Sequence, residues 1–197
     1  MCIALVKLPD ANVSEDNLRA CWQSNPDGAG FAYVKDGKVT IEKGFMTLKP
    51  FLEALNVALE ANKESTFLIH FRIRSMGDKS ADNTHPFEFE HGCMIHNGTM
   101  DGTGAKWGEG PSDTALFVKK FEEKLTYPVL EKNKEDIEKA IGSNKLAFLF
   151  HDGTHFIINA AVGNWDNGVW YSNYSYRPRH TNAMIPMDDY TSENWSY

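Results

Sequence analysis

The chain has 197 residues, 42% of them hydrophobic and 24% charged, a composition that fits one domain with a sizeable core and excludes a disordered chain. A formal net charge of −7 at pH 7 excludes a dedicated nucleic-acid surface, since the basic clusters, Arg72 with Arg74 and Arg177 with Arg179, are too small to track a phosphate backbone. Cys2, Cys21 and Cys93 form no disulfide framework, the N-terminus lacks a signal-peptide pattern and no apolar run is long enough to span a membrane, so a reducing cytoplasm is the expected compartment.

Residues 3–8 are apolar, end at Pro9-Asp10 and read as a strand with Cys2 at its start. Ser14 offers an N-cap to a helix carrying Leu18, Cys21 and Trp22, which stops before Asn25-Pro26-Asp27-Gly28. Strands at 31–35 and 38–42 flank Asp36-Gly37, a strong hairpin dipeptide. Pro50 is expected to open a second helix, in which Phe51, Leu52, Leu55, Ala58 and Leu59 recur at helical spacing. Strands follow at 67–71 and 92–96, and Ser112 caps a helix with an apolar stripe at Leu116, Phe117 and Phe121. A weaker helix covers 134–141, a hairpin joins 145–150 to 155–160 around Asp152-Gly153, and 168–172 adds a strand. Antiparallel strand pairs interleaved with helices predict a layered α+β domain over 1–180, and the aperiodic 181–197 reads as a tail or wrapping arm.

Chemistry concentrates at the start. Removal of Met1 would leave Cys2 with a thiol and a free α-amine, a nucleophile carrying its own base. Read alone, a second-position cysteine is more often a buried strand residue. Four further segments change that weighting. The glycines of Asn25-Pro26-Asp27-Gly28-Ala29-Gly30 permit close backbone approach, though the same run also serves as a plain loop. In His70-Phe71-Arg72-Ile73-Arg74-Ser75, an arginine at the end of an apolar strand suits a carboxylate, with a surface ion pair as the other reading. Asn83-Thr84-His85-Pro86-Phe87 precedes His96-Asn97-Gly98, where a side-chain amide beside a glycine N–H can form an oxyanion hole or simply a hairpin turn. In Ser112-Asp113-Thr114, Asp113 either complements a helix N-terminus or holds a substrate ammonium. His91, Cys93 and His96 do not have the spacing of a zinc site.

In this order and spacing, Met-Cys, Asn-Pro-Asp-Gly-Ala-Gly, His-Phe-Arg, Asn-Thr-His-Pro-Phe, His-Asn-Gly and Ser-Asp-Thr resemble the class II glutamine amidotransferases of the N-terminal-nucleophile hydrolase superfamily. The resemblance runs from Cys2 to about residue 176, with its specific motifs in the first two-thirds. It implies a four-layer α-β-β-α sandwich and a glutaminase that needs no cofactor and no metal. In that reading Cys2 attacks the side-chain amide of free L-glutamine to form a thioester, and Asn97 with the N–H of Gly98 forms the oxyanion hole. Arg72 binds the α-carboxylate, Asp113 binds the α-amine and His85 lines the pocket. Where the family continues Trp-Ala-Thr after the arginine, this chain has Ile73-Arg74-Ser75, so Arg74 is either a second substrate contact or a residue on the opposite strand face paired to an acid. Neither a fused synthase domain nor a nucleotide-binding loop is expected after the glutaminase region, so the chain is expected either to borrow an ammonia-accepting synthetase or ligase partner or to waste the ammonia, with neither nucleic acid nor membrane involved. An amidohydrolase acting on another small amide, or a non-catalytic binding protein, are the competing readings.

Overall fold

Which side of its sheet each residue faces is decided in the first strand by simple alternation. The computed structural model describes residues 2–178, so Met1 and the expected arm at 181–197 lie outside the described residues. In β1 (Ile3–Lys7), Ile3 and Leu5 join one apolar cluster while Ala4 and Val6 join another. The first cluster lies under α1 (Glu15–Ser24) and α2 (Leu48–Ala61), to which it adds Trp22, Phe51 and Leu55. The second lies between two sheets.

The larger sheet also holds β2 (Ala29–Lys35), β3 (Lys38–Phe45), β4 (Phe67–Phe71), β9 (Asn164–Asp166) and β10 (Val169–Tyr171), in the order β3-β2-β4-β1-β10-β9. The smaller contains β5 (Phe87–Phe89), β6 (Gly92–Asn97), β7 (Lys145–Phe150) and β8 (His155–Ile158), in that order. All pairings are antiparallel. Cys93, Ile95, Ala147 and Leu149 of the smaller sheet meet Ala4, Val6, Leu68 and Trp170 of the larger. The opposite face of the smaller sheet, with Met94, Leu146 and Phe148, packs beneath α3 (Asp113–Phe121), α4 (Tyr127–Lys132) and α5 (Lys134–Ile141). The architecture is therefore the expected α+β sandwich, helices on the two outside layers and sheets face to face within.

Several local expectations shift. The second helix begins at Leu48 with Thr47 as N-cap, so Pro50 lies inside the first turn, where its missing N–H has no intrahelical partner to lose. The last hairpin strand stops at Ile158 because Asn159 takes a left-handed conformation and a 3-10 turn follows at Ala160–Val162. Tyr127–Lys132, Phe87–Phe89 and Asn164–Asp166 are too short for periodicity to have marked them. The Asn97-Gly98 pair is not a hairpin turn: β6 pairs with β5 and β7, and the next helix along the chain is α3. The glycine motif running into β2 has a packing role, since a Cβ on Gly30 would lie 2.3 Å from His85 O, so the segment holding His85 rests directly on this strand.

Trp170 fills the centre of the inter-sheet core and its indole N–H donates to Ala160 O at 3.0 Å. Trp170→Ala should destabilise the protein by about 3–5 kcal/mol, read as a lower urea midpoint with little change in the slope of the transition.

Candidate active site

Extending the β1–β4 register by one pair beyond Ile3 and Phe71 sets Cys2 across from Arg72, both on the inter-sheet side by alternation. The Cys2 thiol bonds to the next backbone unit of that chain, donating to Ile73 O at 3.3 Å and accepting from Ile73 N–H at 3.4 Å. Burial raises the thiol's pKa, the Ile73 amide and Arg72 oppose that rise, and Asp113 adds to it. Arg72 and Asp113 thus both act on the sulfur.

Arg72 is 2% exposed. Its backbone is fixed on the other side by N–H donation to Gly28 O (2.8 Å), and its carbonyl accepts from Asp27 N–H (2.9 Å). The guanidinium donates to Asp78 O at 2.8 Å and Met76 O at 3.1 Å, which curls residues 73–78 around it. Burial works against its charge, and Asp27, Asp78 and Asp113 support it. Asp113 is itself buried at the start of α3, where Oδ2 accepts from Met100 N–H (2.7 Å) and Oδ1 from Thr114 N–H (2.8 Å). The Ser112 hydroxyl caps the same helix by accepting from Ala115 N–H.

Asn97 ends β6 with its side chain on the inter-sheet side, reaching across to the other sheet. Its Nδ2 donates to the Cys2 carbonyl and to Ser172 Oγ (2.9 Å), and its Oδ1 is buried without a hydrogen-bond partner. Gly98 follows with φ of +143°, open to glycine, and a Cβ there would sit 1.8 Å from Asn144 Oδ1. Cys2, Arg72, Asn97, Gly98 and Asp113 are therefore brought to one end of the two sheets. Arg74 lies at the same end, two residues after Arg72, but its N–H donates to Asp27 Oδ2 at 2.8 Å and the residue is exposed.

His85 is buried with neither ring nitrogen bonded, its ring 3.9 Å from that of His70. His70 Nε2 donates to His96 O at 3.0 Å, which ties the two sheets together and leaves Nδ1 unprotonated and unpartnered. His96 faces the outer side of β6, away from Cys93, and bridges Thr114 Oγ1 and Asn144 Oδ1, each at 2.9 Å. Burial depresses all three histidines, His70 to about 3 and His85 well below its ordinary value, with Arg72 adding to the effect on both.

Two residues that the sequence did not mark as candidates complete the arrangement. Ser172 and Asn173 directly follow β10. Ser172 Oγ accepts from Ala4 N–H (2.9 Å) and Asn173 Nδ2 donates to Cys2 O (2.8 Å). A polar pair just past an apolar strand was the available signal. A cavity of about 620 Å³ lined by Lys7, Asp10, Asn56 and Lys63 lies at the opposite end of β1 from this cluster.

No family model matches the chain. Over 104 residues, 51% of its length, it is 31% identical to an uncharacterized protein of Methanocaldococcus jannaschii, of which it covers 29%. Its fold is similar to that of the glutamine phosphoribosylpyrophosphate amidotransferase of B. subtilis solved with ADP and GMP. The TM-score is 0.56 at 16% identity, with 87% of this chain and 42% of that one covered. The chain thus spans under half the length of either protein, and at that identity the structural likeness is one of fold. Among the described residues no helix is long and apolar enough to cross a membrane.

The depressed histidines predict an acid-side loss of stability. A histidine neutral in the folded state but free to protonate near 6.5 when unfolded leaves the unfolded chain with more bound protons below that pH. Stability should be level above pH 6.5 and fall as pH drops toward about 3, the His70 value, by up to about 1.4 kcal/mol per pH unit for each such group. Melting temperature measured from pH 8 to 4 checks this, and replacing His70 with Gln should flatten the slope between 6.5 and 4.

Proposed function

We propose that the chain is a glutaminase of the class II amidotransferase type, releasing ammonia from free L-glutamine through Cys2. The observation that carries the reading is a buried cysteine thiol under the joint influence of one fixed cation, Arg72, and one fixed anion, Asp113. A free α-amino acid offers the complementary pair of charges, whereas a glutamine inside a peptide would leave both partners unmatched.

The chemistry follows from the positions. Once Met1 is removed, the Cys2 α-amine takes the thiol proton and Sγ attacks the side-chain amide carbon. The tetrahedral oxyanion collapses, the amide nitrogen leaves as ammonia with a proton from the amine, and a γ-glutamyl thioester remains. Water, giving its proton to the same amine, attacks the thioester, and glutamate departs while the thiol re-forms. Burial of Cys2 raises its pKa, so an adjacent base matters more than a pre-formed thiolate. His70, pushed down to about 3, and His85, pushed well below its ordinary value, are too weak to serve, and His96 faces the outer side of β6.

Asn97 and the Gly98 N–H are assigned to the oxyanion. For Asn97 this means exchanging its bond to Cys2 O for one to the substrate oxygen, and Asn173 Nδ2, at 2.8 Å from the same carbonyl, keeps Cys2 O satisfied during that exchange. Arg72 and Asp113 bind the α-carboxylate and α-amine, and His85 forms a neutral wall beyond Arg72. Arg74, exposed beside Asp27, remains only a peripheral candidate for attracting the carboxylate. The ammonia is either released or, in this reading, passed to a synthetase or ligase subunit.

The test is release of glutamate from glutamine by protein whose intact mass shows loss of Met1. Cys2→Ala should abolish the reaction with the fold retained. Asn97→Ala should lower kcat by about 10²–10³-fold with little change in KM. Arg72→Ala and Asp113→Ala should raise KM, a loss of about 2–5 kcal/mol each in a dry site. Wild-type turnover by the Cys2→Ala protein would sink the assignment.

A further inference from the structure

We infer that Asn83 is a positioning residue that sets the separation between the cationic and anionic ends of the amino-acid site, and so determines its selectivity for a zwitterion. The inference rests on the glutaminase reading of that site and goes beyond it in assigning a residue that touches neither charge of the substrate.

Arg72 and Asp113 lie on different elements, one just past β4 and the other at the start of α3, with no direct bond between them in the structure. What joins them is a pair of loops. Arg72 grips the first through the carbonyls of Met76 and Asp78. The second, residues 100–112, leads into Asp113 and carries glycines at 102, 104, 108 and 110, so it has little stiffness of its own. Backbone bonds stitch the two, Gly77 N–H to Lys106 O (2.8 Å) and Asp78 N–H to Gly110 O (2.9 Å).

Asn83 sits at that seam, 3% exposed, and uses both ends of its amide. Its Nδ2 donates to Asp78 Oδ1 at 2.7 Å and to Gly110 O at 2.9 Å, with a longer contact of 3.2 Å to Asp78 O. Its Oδ1 accepts from Ser112 N–H at 2.7 Å. The side chain therefore holds Asp78, whose carbonyl takes the Arg72 guanidinium, and Ser112, the N-cap that places Asp113. One amide fixes both supports at once. The space is tight as well, since a Cβ on Gly77 would lie 2.7 Å from Ser112 N. A charge pair held at one spacing can discriminate for the fixed separation of an α-carboxylate and an α-ammonium, and a spacing free to vary loses that discrimination before it loses chemistry.

The experiment compares wild type, Asn83→Ala, Asn83→Asp and the double variant Asn83→Asp with Asp78→Asn, which restores an amide-carboxylate pair with the roles exchanged. Steady-state kinetics are measured on glutamine and on glutaramate, which lacks the α-amine. The single variants should raise KM for glutamine at least tenfold with kcat within threefold, and the glutamine-over-glutaramate preference should fall at least tenfold. The double variant should recover part of that preference. Unchanged preference in the single variants, with or without a lower melting temperature, overturns the inference and leaves Asn83 a structural cross-link. If the wild type releases no glutamate, the glutaminase reading fails by itself, and amide hydrogen exchange decides the positioning role. Faster exchange in Asn83→Ala at Met100, whose N–H donates to Asp113 Oδ2, would support it, and unchanged exchange there would overturn it.

Discussion

The pairing of β1 between β4 and β10 is the constraint on which the rest of the site depends. A strand hydrogen-bonded on both edges cannot slip by one residue without turning its whole apolar set to the wrong layer, and here Ile3 and Leu5 are committed to the helix side while Ala4 and Val6 are committed to the other sheet. Each buried aliphatic side chain contributes on the order of 1.5–3 kcal/mol to holding that register. The thiol of Cys2 inherits its direction from this choice. So do its neighbours, because Arg72 and Ser172 are the next residues inward-facing on the two flanking strands.

Desolvation then decides which groups near the thiol carry charge. Arg72 remains a cation because two backbone carbonyls and three nearby carboxylates replace the water it has lost. The histidines have less compensation: His70 has one backbone carbonyl, His96 has Asn144 and the Asp113 carboxylate, and neither ring nitrogen of His85 is bonded. His70, His85 and His96 are all pushed down by burial, so the interior presents neutral imidazoles beside the fixed cation. This separates the site from cysteine enzymes that rely on a histidine base: a ring held near 3 is too weak an acceptor to activate a thiol whose own pKa burial has raised. In the proposed glutaminase reaction the base therefore comes from outside the histidine cluster, and the α-amine of a processed Cys2 is the group assigned to it.

The fold was legible in the sequence to the extent that periodicity carried it. Short apolar runs at β1, β4 and β7 and the helical stripe of α2 marked the main elements, and Asp36-Gly37 marked the β2–β3 hairpin, while the assignment of alternate residues to the two faces came only with the structure. Short elements escaped because three residues of β5 or β9 contain no period. The candidate site was legible where residue type is unusual for its place, as with an arginine ending an apolar strand. It was illegible where ordinary polar residues act by contact at long range: Ser172 meets Ala4 and Asn97, and Asn173 meets Cys2 across 171 positions of sequence. Asn83 stood in a segment marked for His85, yet the hydrogen bonds concentrate on Asn83 while His85 makes none through its ring.

The resting state of Asn97 has a meaning that packing alone does not supply. A buried amide oxygen without a partner costs about 1–3 kcal/mol, and Oδ1 of Asn97 is such an oxygen while both hydrogens of its Nδ2 are spent on Cys2 O and Ser172 Oγ. Turning the amide over would give Oδ1 the Ser172 hydroxyl but would face it against the Cys2 carbonyl, acceptor to acceptor, so the observed orientation is the better of two imperfect ones. Neither bond of Nδ2 is irreplaceable: Cys2 O already has Asn173, and Ser172 Oγ already has the Ala4 amide. An amide whose donors are each duplicated is free to release one when negative charge develops on a nearby oxygen, without stranding the group it leaves. That duplication is the physical basis for treating Asn97 as a donor held in reserve, and it explains why the start of β1 is surrounded by more hydrogen-bonding groups than anchoring one strand requires.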